Sequence, residues 1–337
     1  MPLDPQARKF LDMMNGTKTR GFQEIGAIKA RKYYDSRPAN LAPDWVDVFQ
    51  LVNQTIEHQT LLIPIRIYTP IESLSPLPVC IFYHGGGMVI GSLDSYDTLC
   101  RQLSVQSGCI IVSVDYRLAP ENKFPAAVDD AYAALGWVSE HAHGFNGDSN
   151  NLMIAGDSAG GNLAAVVALM ARDQTTIKLR FQLLIYPVLA AHADSTSHHK
   201  FAKGYFLERL TILWFQECYM QTEADRRDFR YAPLSADNFS GLPPTLVIVA
   251  DHDPLRDEGV EYAKRLQASG VDTELQEYEG MIHPFLSLAG ILDQGRHAIA
   301  LAAKALSNAS SQWLMGRNAR THVLLKVIVI CGIINFL

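Results

Sequence analysis

Apolar positions near the start of the chain recur at three- and four-residue spacing. "DPQARKFLDMM" and "GFQEIGAIKARKYYD" carry polar faces between them, so residues 4–36 are predicted to be helical. From about Trp45 the texture changes. "VDVFQLVNQTIE" and "TLLIPIRIYTP" mix alternation with β-branched residues, the pattern of antiparallel strands. A different rhythm follows, in short and almost wholly apolar runs: "PVCIFYH", "CIIVSVDY", "NLMIAG", "FQLLIYPV" and "TLVIVAD". Between them lie helix-like stretches, "PAAVDDAYAALGWVSEH", "AGGNLAAVVALMARD" and "RDEGVEYAKRLQASG". Apolar strands alternating with helices predict an α/β protein whose mostly parallel sheet is covered on both faces. A last strand is placed at "TELQEYEG" and a last helix near Ala289–Leu306. Residues 192–240 interrupt the alternation with a long polar and aromatic insertion, which predicts a cap over a site, one that the N-terminal helices could join.

Composition narrows the choice of partners. The chain has 337 residues, 48% of them hydrophobic, and a formal net charge of −6, so nothing favours nucleic acid. Five scattered cysteines (Cys80, Cys100, Cys109, Cys218, Cys331) form no C-x-x-C pair and read as small apolar residues of a reducing, cytoplasmic compartment. The N-terminus lacks the long apolar core of a secretory signal. The C-terminal run "HVLLKVIVICGIINFL", His322–Leu337, follows Arg317 and Arg320 and is short for a membrane-spanning helix. It reads as a tail without a catalytic role, with a membrane or partner contact as the alternative.

Chemistry concentrates in "NLMIAGDSAGG", residues 151–161. Gly156-Asp157-Ser158-Ala159-Gly160 fits G-x-S-x-G between an apolar strand and a small-residue helix. In that context the serine sits on a tight strand-to-helix turn, with its hydroxyl clear of the sheet and a helix N-terminus behind it. A serine nucleophile needs a base, and the base needs an orienting acid. Of eleven histidines, His58, His141, His143, His192, His198 and His199 lie in polar surroundings and read as solvated. His283, in "YEGMIHPF", follows the last predicted strand, where a base belongs. "TLVIVADHDPLRDEG" offers three acids: Asp251, Asp253 and Asp257, the last resembling the acidic first turn of a helix. The order serine, acid, histidine agrees with that of an α/β hydrolase.

Three consecutive glycines in "CIFYHGGGMVIG" demand bare backbone. A dinucleotide loop fails, because Gly85, Gly87 and Gly91 do not give G-x-G-x-x-G and no helix starts at them. A Walker loop fails for want of a following Lys-Ser/Thr. The remaining use is donation: the amides of Gly85 and Gly86, with that of Ala159, would converge on a developing oxyanion. His84 then reads as a loop anchor.

Taken together, these residues resemble the hormone-sensitive-lipase-like esterases (bacterial family IV) of the α/β-hydrolase superfamily. The resemblance rests on "HGGG" at 84–87, "VDYRLAPENKFPAA" at 114–127, "GDSAGGNLA" at 156–164, "DPLRDEG" at 253–259 and "GMIHPF" at 280–285, all in order over roughly residues 1–306. It implies the α/β-hydrolase fold, with an eight-stranded sheet and a helical cap. It also implies Ser158 as nucleophile, Asp253 rather than Asp251 as acid, His283 as base, and Gly85, Gly86 and Ala159 as the oxyanion hole. The segments become 1–45 (cap helices), 46–190 (core), 191–240 (cap insertion), 241–308 (core) and 309–337 (tail). Met88, where the family often carries an aromatic, joins Phe206, Trp214 and Phe215 as residues that line the pocket or belong to the core of the cap. Pro284 stands where glycine is commoner. The implied reaction is hydrolysis of small esters of short-to-medium acyl chain through an acyl-enzyme, with neither metal nor organic cofactor, by a monomer or homodimer. The alternatives are a non-catalytic small-molecule receptor on the same scaffold, or a hydrolase of amides, thioesters or lactones.

Overall fold

Eight strands form one sheet in the computed structural model, which describes residues 1–16, 21–59, 61–174 and 176–311. The strands are β1 (Gln50–His58), β2 (Leu61–Thr69), β3 (Leu77–Tyr83), β4 (Ile110–Val114), β5 (Gly147–Asp157), β6 (Leu179–Ile185), β7 (Thr245–His252) and β8 (Thr273–Ile282). Their order across the sheet is β1-β2-β4-β3-β5-β6-β7-β8. β2 pairs antiparallel with both β1 and β4, and every later pairing is parallel. The contrast follows from the residues. β3 and β4 are buried along nearly their whole length, whereas much of β1 at the sheet edge is exposed.

The nine named helices are α1 (Pro5–Gly16), α2 (Phe22–Ile25), α3 (Ala27–Asp35), α4 (Asp97–Ser107), α5 (Ala126–His141), α6 (Ala159–Gln174), α7 (Thr196–Lys200), α8 (Arg209–Tyr219) and α9 (Arg256–Ala268). A further helix, α10, covers 293–311. It begins four residues later than the apolar spacing predicts, because Phe285–Leu288 form a separate 3-10 turn and Ala289 lies in the bend after it. α6 runs small residues along its first turns and is buried from Ala159 to Ala171, packed on β3, β5 and β6. α4 packs on β2 and β4, and α9 on β7 and β8.

Parallel pairing carries β3, β5, β6, β7 and β8 to the same edge of the sheet. The glycine run, Ser158, the 186–190 loop, Asp253 and His283 all follow directly from their carboxyl ends. Above that edge the N-terminal helices meet the insertion: Phe10 packs on Phe206 at 5.2 Å between ring centroids, and Phe22 on Phe215 at 6.3 Å. Among the described residues no helix is long and apolar enough to cross a membrane. The apolar run His322–Leu337 and Cys331 lie outside the described residues.

Candidate active site

The turn from β5 into α6 holds Ser158 at φ +53°, a left-handed conformation that an ordinary side chain adopts only under constraint. The constraint is visible on both sides. The Ser158 amide donates to the Ile185 carbonyl at 2.8 Å, and its own carbonyl accepts from Asn162 and Val188, each at 3.1 Å. Glycine follows at 160 because α6 crosses β3 so closely that a Cβ there would fall on the Tyr83 carbonyl oxygen. The hydroxyl is thereby raised off the sheet edge.

His283, the first residue after β8, points its Nε2 at the Ser158 Oγ, 3.1 Å away. Its Nδ1 lies 2.8 Å from an Asp253 oxygen. The carboxylate draws the proton to Nδ1, so Nε2 is free to accept from the serine hydroxyl. Asp253 is fully buried, and its other oxygen accepts from the Leu255 amide at 2.8 Å, which fixes its plane. Tyr186 packs its ring edge-on to the imidazole at 4.6 Å and holds its tilt. The other two acids face elsewhere. Asp251 meets the N-terminal ammonium at 3.3 Å, and Asp257 accepts from the Ser197 amide at 2.8 Å.

The glycine run corrects one expectation. Gly85 does not offer its amide to the cavity; it donates to Asp157 Oδ1 at 2.7 Å in a fully buried contact. Gly86, Gly87 and Ala159 line the cavity beside Ser158, whereas Gly85 does not. Among the described residues nothing accepts from the Gly86 or Gly87 amides. Gly87, at φ +62°, has the Phe215 ring where a Cβ would stand. The three amides available to an anion are therefore those of Gly86, Gly87 and Ala159. His84 is buried and stacked on Tyr116 at 4.4 Å, and its Nδ1 lies 2.8 Å from the Gly85 carbonyl. Burial lowers its pKa to about 4, which keeps it a neutral anchor.

A second correction concerns His198. It is not solvated: it is buried, with Nδ1 2.7 Å from Ser195 Oγ and Nε2 3.5 Å from Glu258. Burial lowers its pKa to about 4 and raises that of Glu258 to about 8. Glu258 accepts from the amides of Leu189 and Ala190 and so braces the loop after β6. The other five histidines read as solvated are exposed.

The cavity has a volume of about 370 Å³. Met88, Phe206 and Phe215 line it together with Tyr33 and Tyr34 of α3. Trp214 does not; it turns aside and packs on Phe215 at 5.2 Å. The residues missed from sequence are Gly87, Asp157, Tyr96 and Tyr34. Gly87, in the glycine run, and Asp157, inside G-x-S-x-G, carried signal, but the contact that sets Gly85 apart from its neighbours spans 72 residues.

Comparison with known proteins identifies the family. Residues 80–287 match a family described by the α/β-hydrolase fold. The chain is 34% identical to an ethyl acetate hydrolase of Pseudomonas putida, over 91% of this chain and 99% of that one. It is 38% identical to a carboxylesterase of Mycobacterium tuberculosis, over 91% and 96%. Among solved structures it resembles an ester hydrolase from the metagenome of Lake Arreo, with a TM-score of 0.88 and 39% identity over 91% of this chain and 98% of that one. It also resembles a hyperthermophilic esterase of the archaeon Pyrobaculum calidifontis, with a TM-score of 0.85 and 36% identity over 91% and 99%. A serine–histidine–aspartate relay on this strand order, with matches spanning nearly the full length of the relatives, places the chain in the α/β-hydrolase-fold family, among its hormone-sensitive-lipase-like esterases.

Proposed function

We propose that the protein hydrolyses compact carboxylic esters of short-to-medium acyl chain through an acyl-enzyme on Ser158. The observation that carries this reading is the unbroken relay Asp253–His283–Ser158, with Ser158 and His283 lining one cavity together with Gly86, Gly87 and Ala159. Ser158 Oγ attacks the ester carbonyl while its proton passes to His283 Nε2, and Asp253 stabilises the imidazolium. The carbonyl oxygen, now an anion, accepts from Gly86, Gly87 and Ala159. Collapse breaks the bond to the alcohol, which leaves with the proton from His283. Water then attacks the acyl carbon by the same route and frees the acid. The relatives named for ethyl acetate, carboxylester and aryl ester hydrolysis support esters as the substrate class.

The size of the cavity, about 370 Å³, supports compact substrates. Residues 1–45 and 191–240 act as its cap over the core of 46–190 and 241–308. Four described cysteines are free thiols, which supports a reducing, cytoplasmic setting. The test is a panel of p-nitrophenyl esters of rising acyl length, with a p-nitroanilide arm, run on wild type and Ser158→Ala. Rates should peak at short-to-medium chains and fall by at least about 10³-fold in the variant. Undiminished hydrolysis by Ser158→Ala would overturn the mechanism.

A further inference from the structure

Asp157, immediately before the nucleophile, takes no part in the relay, yet it is fully buried against the cavity wall. Its two oxygens have separate tasks. Oδ1 accepts from the Gly85 amide at 2.7 Å, and Oδ2 accepts from the Tyr96 hydroxyl at 2.9 Å. The Tyr96 oxygen lies 3.3 Å from that of Tyr34, which belongs to α3 and lines the cavity. A continuous hydrogen-bonded chain thus runs from an N-terminal helix through Tyr34, Tyr96 and Asp157 to the peptide just before the two glycine amides.

We propose that Asp157 is a positioning residue for the oxyanion: by holding Gly85 it sets the aim of the Gly86 and Gly87 amides, and the two tyrosines tie that aim to α3. The inference rests on the ester-hydrolysis reading and adds a residue to it. Left-handed backbone at Gly86 and Gly87, φ +119° and +62°, gives those peptides freedom that only outside contacts limit. On one side Gly86 is closed into a turn by Val89 and Ile90, whose amides donate to its carbonyl. On the other, Gly85 is held twice: its carbonyl lies 2.8 Å from His84 Nδ1, and its amide donates to Asp157, the contact that the tyrosines extend to α3. Its geometry also survives a change of charge. A protonated Oδ2, or the amide nitrogen of an asparagine in its place, can donate to the Tyr96 hydroxyl while Oδ1 still accepts from Gly85, and Tyr96 can then donate to Tyr34.

Asparagine should therefore replace Asp157, and alanine should not. The experiment compares kcat and KM for p-nitrophenyl butyrate with the affinity for a trifluoromethyl ketone of similar size. Ser158 Oγ adds to the ketone carbon, its proton passes to His283, and the ketone oxygen becomes an oxyanion in the same hole. Asp157→Ala should lower kcat about 10- to 100-fold, weaken the ketone by a similar factor and move KM less than about threefold. Asp157→Asn should recover most of both losses. Should Asp157→Ala fail to fold, Tyr96→Phe should show smaller, parallel falls in kcat and ketone affinity. A fall in kcat without loss of ketone affinity, an undisturbed kcat in Asp157→Ala, or equal damage in alanine and asparagine would overturn the proposal. Failure of the underlying reading is separate, since it would show as hydrolysis that persists in Ser158→Ala.

Discussion

Asp251 and Asp253 stand two residues apart at the end of β7, and only one of them meets His283. β7 ends between them, at His252, so Asp251 keeps its place in the strand beside the N-terminal ammonium and His252, whereas the chain turns after His252 and carries Asp253 into the buried contact with His283. Asp253→Asn should lower kcat by about 10³- to 10⁴-fold, since an amide beside Nδ1 favours the wrong imidazole tautomer. Asp251→Asn should cost less than about tenfold. Steady-state kinetics on one ester decides it, and a larger loss at 251 would reassign the acid. Ser158 and His283 were legible from their places after strands, but the choice between these acids rested on resemblance, because periodicity says nothing of which way a loop carboxylate turns. Gly85 shows the same limit. Three glycines announce an anion site, but which amides face it depends on Asp157, a contact across 72 residues. His198 was misread because its polar neighbours in sequence are not its neighbours in space.

At the scale of elements, the strand and helix rhythm was legible because each apolar run is buried on both faces. What it could not reveal is how one helix end serves the loop of a distant strand. Glu258 in the first turn of α9 reads as a dipole partner, yet it reaches the amides after β6. Its folded pKa, about 8, lies above its ordinary value of 4.5, so the folded state binds the proton more tightly between those limits. Its contribution to stability is therefore full below pH 4.5 and is lost as pH rises toward 8. His198, lowered from 6.5 to about 4, has the opposite slope, but only below 6.5. From pH 6.5 to 8 the Glu258 slope should stand alone of the two, worth about 1–2 kcal/mol. Urea unfolding at these two pH values should show that loss in the wild type and not in Glu258→Gln, and equal slopes in both would count against it. A complementary test belongs to α6. Gly160→Ala would press a methyl group onto the Tyr83 carbonyl, and overpacking of this kind should cost about 3 kcal/mol in the same assay.

At the scale of the molecule, the question is how residues 1–45 are attached to a sheet that they do not join. Hydrophobic contact supplies part of the answer, with Ala7, Phe10 and Leu11 of α1 buried. Arg31 of α3 supplies a directional part. Its guanidinium donates to the Val89 carbonyl at 2.8 Å, just past the glycine run, and to the Ala119 carbonyl at 2.7 Å, in the loop after β4. It also pairs with both oxygens of Glu121. One side chain thus joins α3 to the loops after β3 and β4, in a fork that lysine cannot reproduce. Arg31→Ala should leave both carbonyls without their donor and loosen this segment before the core yields. Limited proteolysis should then cut within residues 1–45 at least about fivefold faster than in the wild type, while 46–311 resists at the wild-type rate. Arg31→Lys should fall between the two. If the whole chain becomes labile together, residues 1–45 are part of the core's cooperative unit and not a separately attached cap. If the N-terminal segment is cut no faster, Arg31 is not what holds it.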